Sequence, residues 1–377
     1  MKLQFKHQKF QADAAKAVVD VFAGQPYLTP TYMMDRGSGT YQIGMEEEHD
    51  FTGWRNERIV PELSDALILE HLNKIQRANQ IAPSPKLEGR YNLTIEMETG
   101  VGKTYTACLA AYRMLSYTPM RRVLFLVDRN NLGKQAEGEF GTFRLTENGE
   151  AFNTIFTVNR LRSSSIPSDS NVVISTIQRL FSFLKGETIE DNDDDENEPI
   201  EEVTLPPNPN LPHDYFDMII IDECHRSIYG NWRKVLEYFD TARLVGLTAT
   251  PIPETMAFFN NNCIVNYTLE KSIVDGVNVD CRVYRIKTQV TETGGAILEG
   301  EKFKEETRYT GEVKTVSNKE TKTYTNKELN RSVINPAQIK LVLSTYRDVV
   351  YTELFNDPQR EPNMDFLPKT LIFALNE

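Results

Sequence analysis

The stretch Met97-Glu-Thr-Gly-Val-Gly-Lys-Thr104 decides the fold, because it joins an apolar strand to a helical pattern through a glycine-bearing turn. A strand, a tight turn and a helix amino terminus together present backbone N–H groups and a helix dipole to a polyphosphate. Met97 stands where the strict GxxxxGK(S/T) pattern has its first glycine. The assignment of a phosphate-binding loop therefore rests on the strand–turn–helix context. Lys103 is predicted to reach the β- and γ-phosphates, and Thr104 to ligate magnesium. The predicted nucleotide-binding residues are Thr99, Gly100, Val101, Gly102, Lys103 and Thr104.

A second stretch, Met218-Ile-Ile-Ile-Asp-Glu-Cys-His225, places an acidic pair after a buried strand. Carboxylates at a strand end can hold the hydration shell of magnesium and can position or activate an attacking water. We assign the first role to Asp222 and the second to Glu223. By itself such a pair is also typical of a solvated strand end. Joined to Lys103, 119 residues earlier, it predicts a catalytic site that uses ATP and Mg²⁺.

The region around these two stretches alternates short apolar runs with segments of helical length. Continuous apolar strands separated by helices indicate a parallel sheet that is covered on both faces. The sequence therefore predicts an α/β fold, a P-loop NTPase lobe. The predicted strands are Leu93–Met97, Val123–Val127, Val172–Ile174, Met218–Ile221 and Leu244–Leu247.

The remaining segments suggest the domain organisation. An amphipathic helix is predicted over Phe10–Phe22 and another near Leu63–Arg77, and the turn-rich sequence between them reads as an accessory insertion. A helical stretch over Pro336–Phe355 precedes a last apolar run, Thr370–Leu375, which is predicted to be a strand. The expected division is an accessory region at 1–90, an ATP-binding lobe at 91–280, a polar linker at 281–335 and the beginning of a second lobe at 336–377.

Composition excludes several classes of protein. The 377 residues have an ordinary apolar content of 40% and contain no run of about 18 apolar residues, so no membrane partner is expected. No signal peptide is recognised and the four cysteines form no CxxC pair, which predicts a cytoplasmic protein with free thiols. Nine acids and no base lie between Glu190 and Glu202, and without them the net charge of −12 becomes −3. The overall charge therefore does not exclude a nucleic-acid partner.

At Asp222-Glu-Cys-His225 the sequence resembles the DEAD/DEAH-like helicases and translocases of superfamily 2, and other segments fit that family in order. The resemblance implies a RecA-like lobe in which His225 belongs to the catalytic motif. Phe10-Gln-Ala-Asp-Ala14 looks like the adenine-reading motif, with Gln11 as reader, although an exposed glutamine on a helix is the alternative. The implied contacts to the nucleic-acid backbone are Arg129 and Thr176. The implied coupling residues, in Leu247-Thr-Ala-Thr-Pro251, are Thr248 and Thr250.

A narrower resemblance is carried by the run from Asp222 to Trp232 and by Tyr267–Gly276, which look like the motor subunits of type I restriction enzymes. The first 104 residues look more like the restriction subunit of type III enzymes. Both resemblances imply an ATP-driven motor on duplex DNA, with modification and specificity subunits as partners. No Pro-Asp…Glu-x-Lys pattern of the attached nuclease is found in the sequence.

Two other functions stay open at this point. One is a truncated nucleotide-binding protein without turnover, which acts through partner association. The other is an RNA-directed fragment of a superfamily 2 helicase, although no RNA-binding module, such as an aromatic RNP sheet or a GXXG-bearing KH pattern, is recognised in the sequence.

Overall fold

The computed structural model describes residues 8–24, 40–42, 48–50, 63–87, 91–118, 120–144, 149–163, 165–187, 204–281, 283–306, 313–325, 327–328, 333–355, 363 and 367–373. The chain divides into two units, Met1–Val279 and Asp280–Glu377. The predicted acidic loop at Glu190–Glu202 and most of the predicted accessory insertion lie outside the described residues.

The helices and strands are numbered in chain order. The helices are α1 (Lys9–Val21), α2 (Asp65–Ala78), α3 (Lys103–Tyr117), α4 (Asn130–Thr142), α5 (Phe152–Ile155), α6 (Ile177–Lys185), α7 (Gly230–Tyr238), α8 (Pro253–Phe258), α9 (Leu269–Val274), α10 (Gln289–Thr293) and α11 (Pro336–Val349). The strands are β1 (Thr40–Gln42), β2 (Glu48–Asp50), β3 (Asn92–Met97), β4 (Val123–Val127), β5 (Val158–Arg160), β6 (Val172–Thr176), β7 (Met218–Ile221), β8 (Arg243–Thr248), β9 (Cys263–Tyr267), β10 (Gly295–Ile297), β11 (Lys302–Glu306), β12 (Val313–Ser317) and β13 (Lys322–Tyr324).

A seven-stranded parallel sheet organises the first unit, in the order β5-β6-β4-β7-β8-β3-β9. The predicted α/β fold is confirmed, and the five predicted strands are β3, β4, β6, β7 and β8. The sequence did not predict β5 and β9, which form the two edges of this sheet. The run Val158-Asn-Arg160 is too short and polar to signal a buried strand, and Cys263-Ile-Val-Asn-Tyr267 mixes apolar and polar residues.

Both faces of the central strands are buried, which explains their continuous apolar runs. On β4, Phe125 packs into the cluster that contains α1 and α3, whereas its neighbour Leu124 packs into the cluster that contains α6 and α7. The same alternation holds on β7 for Ile220 and Ile219. Successive side chains of a strand point to opposite faces, so a strand covered on both sides needs apolar residues at every position.

Helices α1 and α2, which precede the sheet in sequence, pack against the rest of the first unit through apolar and polar contacts. Helix α1 buries Ala14, Val18 and Val21 in the cluster that includes α3. Helix α2 meets the outer edge of β9, where Gln76 donates from Nε2 to Ser84 Oγ at 2.9 Å and to the Cys263 carbonyl at 3.1 Å. An edge strand leaves backbone groups without strand partners, and here side chains of α2 satisfy them.

The second unit contains α10, α11 and two short antiparallel pairs, β10–β13 and β11–β12. The segment expected to be a linker therefore contains regular structure. Asn335 caps α11 by accepting from the N–H groups of Ala337 and Gln338, which fits the predicted helix start. After α11, a single turn of π-helix spans Val350–Leu354.

The strand predicted over Thr370–Leu375 is wrong for residues 370–373, the part that the structure describes. These residues form no strand, and Leu371, Ile372 and Phe373 are largely exposed. An apolar run becomes a strand only where a neighbouring strand supplies hydrogen bonds. None of the described residues pairs with this run.

Among the described residues, no helix combines the length and the apolar character that crossing a membrane requires.

Candidate nucleotide-binding site

The phosphate loop lies between the end of β3 at Met97 and the start of α3 at Lys103. Two of its glycines adopt left-handed backbone conformations, with φ of +80° at Gly100 and +87° at Gly102. Gly102 is the amino-terminal cap of the 15-residue helix α3. The first N–H groups of a helix have no partner within the helix, and the helix dipole places partial positive charge there. The loop therefore has the local geometry of an anion-binding turn.

Gln11 anchors this loop to α1. Its Nε2 donates to the Val101 carbonyl at 2.7 Å. A Cβ on Gly102 would lie 2.4 Å from the same nitrogen, so only glycine leaves room for this contact. The residue predicted to read adenine thus lies beside the phosphate loop, about 90 residues away in sequence. Its role toward a base stays a prediction.

An aromatic pair lies next to Gln11 that the sequence did not indicate. The ring of Phe10 stacks on Tyr267 with a centroid distance of 4.1 Å and an interplanar angle of 5°. The hydroxyl of Tyr267 donates to Asp275 Oδ2 at 2.9 Å. Asn278, which was also not predicted, donates from Nδ2 to the Thr99 carbonyl at 3.4 Å. The loop is therefore supported by residues from α1 and from the segment after β9.

The acidic motif follows β7 and meets the phosphate loop. Lys103 Nζ lies 3.1 Å from Glu223 Oε1, and the lysine is 9% exposed. Glu223 has φ of +47°, a left-handed conformation that is unfavourable for a residue with a side chain. Such strain recurs at functional positions. The structure therefore brings two of the predicted catalytic residues together.

The pKa of the Asp222 carboxyl is raised above its ordinary value. Burial, together with the charge of the neighbouring Glu223, raises its pKa to about 6, although Lys103 acts in the opposite direction. The backbone N–H of Glu223 donates to Asp222 Oδ1 at 3.1 Å. A group close to a divalent cation would be held in its ionised form, which is the form that binds metal.

The donor set at this site fits Mg²⁺ better than a metal bound entirely by protein. The described residues contain no cluster of three or more His, Cys, Asp or Glu side chains placed to hold a metal ion. Mg²⁺ usually keeps several waters and takes one or two carboxylates together with substrate phosphates. Asp222 could supply the carboxylate, and Thr104, the second residue of α3, could supply a hydroxyl.

His225 connects the acidic motif to the two predicted coupling residues. Its Nδ1 lies 3.2 Å from Thr248 Oγ1, 3.2 Å from Thr250 Oγ1 and 3.6 Å from Glu223 Oε2. The Thr250 N–H also donates to Thr248 Oγ1 at 3.1 Å. The carboxyl ends of the adjacent strands β7 and β8 are therefore joined by side chains.

The two predicted nucleic-acid contacts follow β4 and β6, which are neighbours in the sheet. Arg129 is exposed, and its Nε lies 3.4 Å from Asp128 Oδ2. Thr176 is buried and its Oγ1 accepts from the Arg179 N–H at 3.3 Å, which caps α6. Asp128 also forms an ion pair with Arg226, a residue that the sequence did not single out although it directly follows His225.

Comparison with known proteins identifies one family. The family "Type III restriction enzyme, res subunit" matches residues 61–253, which are 193 of the 377 residues. This range contains the phosphate loop, the acidic motif and both coupling threonines.

Individual relatives are more distant. The chain is 28% identical over 286 residues to the type I restriction enzyme EcoKI endonuclease subunit of Escherichia coli K12, covering 70% of this chain and 22% of the relative. It is 27% identical over 297 residues to the EcoAI endonuclease subunit of Escherichia coli, covering 76% of this chain and 30% of the relative. This chain thus matches less than a third of either relative. The Hef helicase domain of Pyrococcus furiosus, a solved structure, is 23% identical with a TM-score of 0.30, over 46% of this chain and 33% of that one.

Proposed function

This chain belongs to the family of the type III restriction enzyme res subunit, and from that premise we propose that it is an ATP-driven motor portion of a restriction subunit that acts on duplex DNA. The observation that carries the proposal is the 3.1 Å ion pair between Lys103 and Glu223. It brings a phosphate-binding lysine and a carboxylate that can position water to the same edge of the sheet. That combination is what phosphoryl transfer to water requires.

Nucleotide binding would give Lys103 new partners, because the terminal phosphates carry more negative charge than one carboxylate. Glu223 would then be released from the ion pair and could orient or deprotonate the attacking water. Thr104 and Asp222 would hold Mg²⁺. The bound metal would neutralise negative charge on the phosphates.

The side chains around this centre have proposed roles of their own. Gln11 would contact the base while it holds the phosphate loop through Val101. His225, with Thr248 and Thr250, would pass a change at Glu223 to the end of β8, because its Nδ1 lies between the glutamate and both threonines.

Duplex DNA is the proposed nucleic-acid partner, and Arg129 and Thr176 are the proposed contacts to its backbone. Arg129 is exposed and can contact phosphates through its guanidinium. The Thr176 hydroxyl oxygen already accepts the hydrogen bond that caps α6, from the Arg179 N–H. Its proposed contact with a phosphate oxygen would therefore use the hydroxyl as a donor. Modification and specificity subunits are the proposed partners, and a cytoplasmic location accords with four cysteines that form no disulfide.

The proposal is tested by measuring phosphate release by the full chain with Mg-ATP, in the presence and absence of duplex DNA. We expect release that depends on Mg²⁺ and rises when duplex DNA is added. Duplex RNA of the same length serves as the matched polymer control. A rate that is the same with and without DNA contradicts a DNA-driven motor, and stimulation by RNA alone favours the RNA-directed alternative.

ATP binding without any turnover, with or without DNA, favours the third possibility, a nucleotide-binding protein that works by association. Equilibrium titration of Mg-ATP on the same preparation separates that outcome from a failure to bind nucleotide. A chain that binds no nucleotide contradicts the proposal altogether.

A further inference from the structure

Three charged residues, Asp128, Arg129 and Arg226, form a cluster at the carboxyl ends of β4 and β7, and the proposed function gives a role only to Arg129. Arg226 forms an ion pair with Asp128 through Nη1 and Oδ2, and Arg129 Nε lies 3.4 Å from the same oxygen. The two strands pair directly, with Leu126 opposite Ile221. Asp128 follows the end of β4, and Arg226 lies in the turn after β7, so the cluster joins two separate segments of the sheet edge.

The charges in this cluster do not balance. Two guanidinium groups share one carboxylate, so one positive charge is left over. Both arginines are accessible, with Arg226 50% exposed and Arg129 57% exposed, whereas Asp128 is 19% exposed. Arginine binds phosphate oxygens in a fork geometry, and accessible guanidinium groups at a protein surface are suited to a polyanion.

Arg226 is also tied to the catalytic turn. It is the last residue of the 3₁₀ turn Cys224–Arg226, and its backbone N–H donates to the Glu223 carbonyl at 3.0 Å. A change in the position of Arg226 therefore acts on the turn that holds Glu223 in its left-handed conformation.

We infer that Arg226 is an additional contact to the nucleic-acid backbone, that Asp128 holds it when no nucleic acid is bound, and that its exchange of partners links DNA binding to Glu223. The inference rests on the proposed function, because it takes a nucleic-acid phosphate as the ligand. In the bound state the Arg226 guanidinium exchanges the Asp128 carboxylate for a phosphate oxygen.

The contact is tested by the salt dependence of duplex DNA binding, measured by fluorescence anisotropy on the full chain. Each phosphate contact contributes about 0.9 to the slope of log affinity against log salt concentration. Between about 50 mM and about 200 mM salt, one contact corresponds to about a 3.5-fold difference in affinity. We expect Arg226→Gln to lose one such contact and Arg226→Lys to keep most of the slope.

Arg233 offers a matched control. It is 54% exposed and forms a one-to-one ion pair with Glu237 on α7. Arg233→Gln removes the same charge from the same unit but should keep the slope of the parent chain.

Asp128→Asn distinguishes a phosphate-binding role of this cluster from a purely structural ion pair. It removes the negative charge that competes with phosphate, so we expect tighter DNA binding at low salt. A purely structural ion pair predicts the opposite, with a lower melting temperature and no gain in affinity. Because this variant keeps both arginines, it tests the inference even if Arg226→Gln folds poorly.

The link to Glu223 is tested by titrating Mg-ATP with and without saturating duplex DNA. We expect DNA to change the ATP affinity of the parent and of Arg233→Gln. The change should be much smaller in Arg226→Lys, because lysine keeps the positive charge but lacks the two-pronged guanidinium geometry. Equal ATP affinity with and without DNA in the parent overturns this link.

The outcomes distinguish the inference from the function on which it rests. A parent chain that binds no duplex DNA overturns both. A parent chain that binds DNA, while Arg226→Gln has the slope of Arg233→Gln or Asp128→Asn binds no more tightly, overturns the inference alone.

Discussion

Lys103 Nζ and Glu223 Oε1 lie 3.1 Å apart, although the two residues are 120 positions apart in sequence. The pair joins the amino terminus of α3 to the turn after β7. Strand β8 pairs with both β3 and β7, so the two segments end at the same edge of the sheet. The ion pair thus joins the phosphate loop to the acidic motif.

Glu223→Gln should suppress hydrolysis and leave nucleotide binding nearly intact. Glutamine preserves the shape of the side chain but cannot accept a proton from water, and general-base catalysis typically contributes roughly 10² to 10⁴ in rate. Loss of the ion pair also leaves Lys103 available to phosphates. Single-turnover phosphate release, measured beside a binding titration, gives both quantities.

Glu237→Gln is a suitable control, because Glu237 is exposed and pairs with Arg233 on α7. It should match the parent chain in both measurements. An unchanged hydrolysis rate in Glu223→Gln assigns the catalytic role to another group.

Gly102→Ala should weaken nucleotide binding strongly. Alanine at φ of +87° costs about 1 to 2 kcal/mol, and its Cβ would lie 2.4 Å from Gln11 Nε2. Gly186 is the matched control, since it has φ of +79° and a Cβ added there would have nothing within 4 Å. Gly186→Ala should lower the melting temperature and keep the affinity for Mg-ATP. Equal affinity in both variants argues against a tightly packed phosphate loop.

Gln76→Leu should destabilise the first unit. Gln76 also accepts the Ser84 N–H at 2.8 Å, so the substitution leaves buried polar groups of Ser84 and Cys263 without that partner. Unsatisfied groups of this kind cost about 1 to 3 kcal/mol each. Urea unfolding measures the loss. Gln135→Leu, at an exposed glutamine on α4 that bonds Glu139, should stay within about 0.5 kcal/mol of the parent.

Stability should fall as pH rises toward neutrality, because of Asp217. Burial raises the pKa of this carboxyl from 3.8 to about 7, although the N–H groups of Arg121 and Arg122 and the charge of Arg243 oppose the shift. Between these two values the folded chain binds more protons than the unfolded chain. The free energy of unfolding therefore decreases with pH, by up to about 1.4 kcal/mol per pH unit.

Asp217→Asn removes this titration, so its unfolding free energy should depend less on pH over the same window. Urea unfolding at about pH 5 and about pH 7 gives the comparison, and the difference between parent and variant isolates Asp217 from other buried acids. A parent and variant with equal pH dependence contradict the raised pKa.

The central features of the fold could be predicted from the sequence because they depend on local patterns. Strands such as β4 are buried on both faces, so each of their positions must be apolar, and such runs are easily recognised. The loop around Lys103 and the pair Asp222–Glu223 follow such strands directly. Parallel neighbours place their carboxyl ends together, so the position of the candidate site follows from the strand assignments.

The features that were not predicted depend on contacts between segments distant in sequence. The stacking of Phe10 on Tyr267 and the ion pair of Arg226 with Asp128 join residues 257 and 98 positions apart. No pattern of neighbouring residues in the sequence predicts such pairs. The apolar run at residues 370–373 shows the converse, since strand-like composition gave no strand where no described strand pairs with it.

Calorimetric titration of Mg-ATP into the parent chain and Lys103→Ala tests the central claim most directly, with Lys74→Ala, at an exposed lysine of α2, as the control. We predict saturable binding by the parent and the control. Loss of the charge-assisted contact to the terminal phosphates should weaken binding by Lys103→Ala by about 1.5 to 3 kcal/mol. Equal affinity of Lys103→Ala and the parent would contradict the assignment of this site.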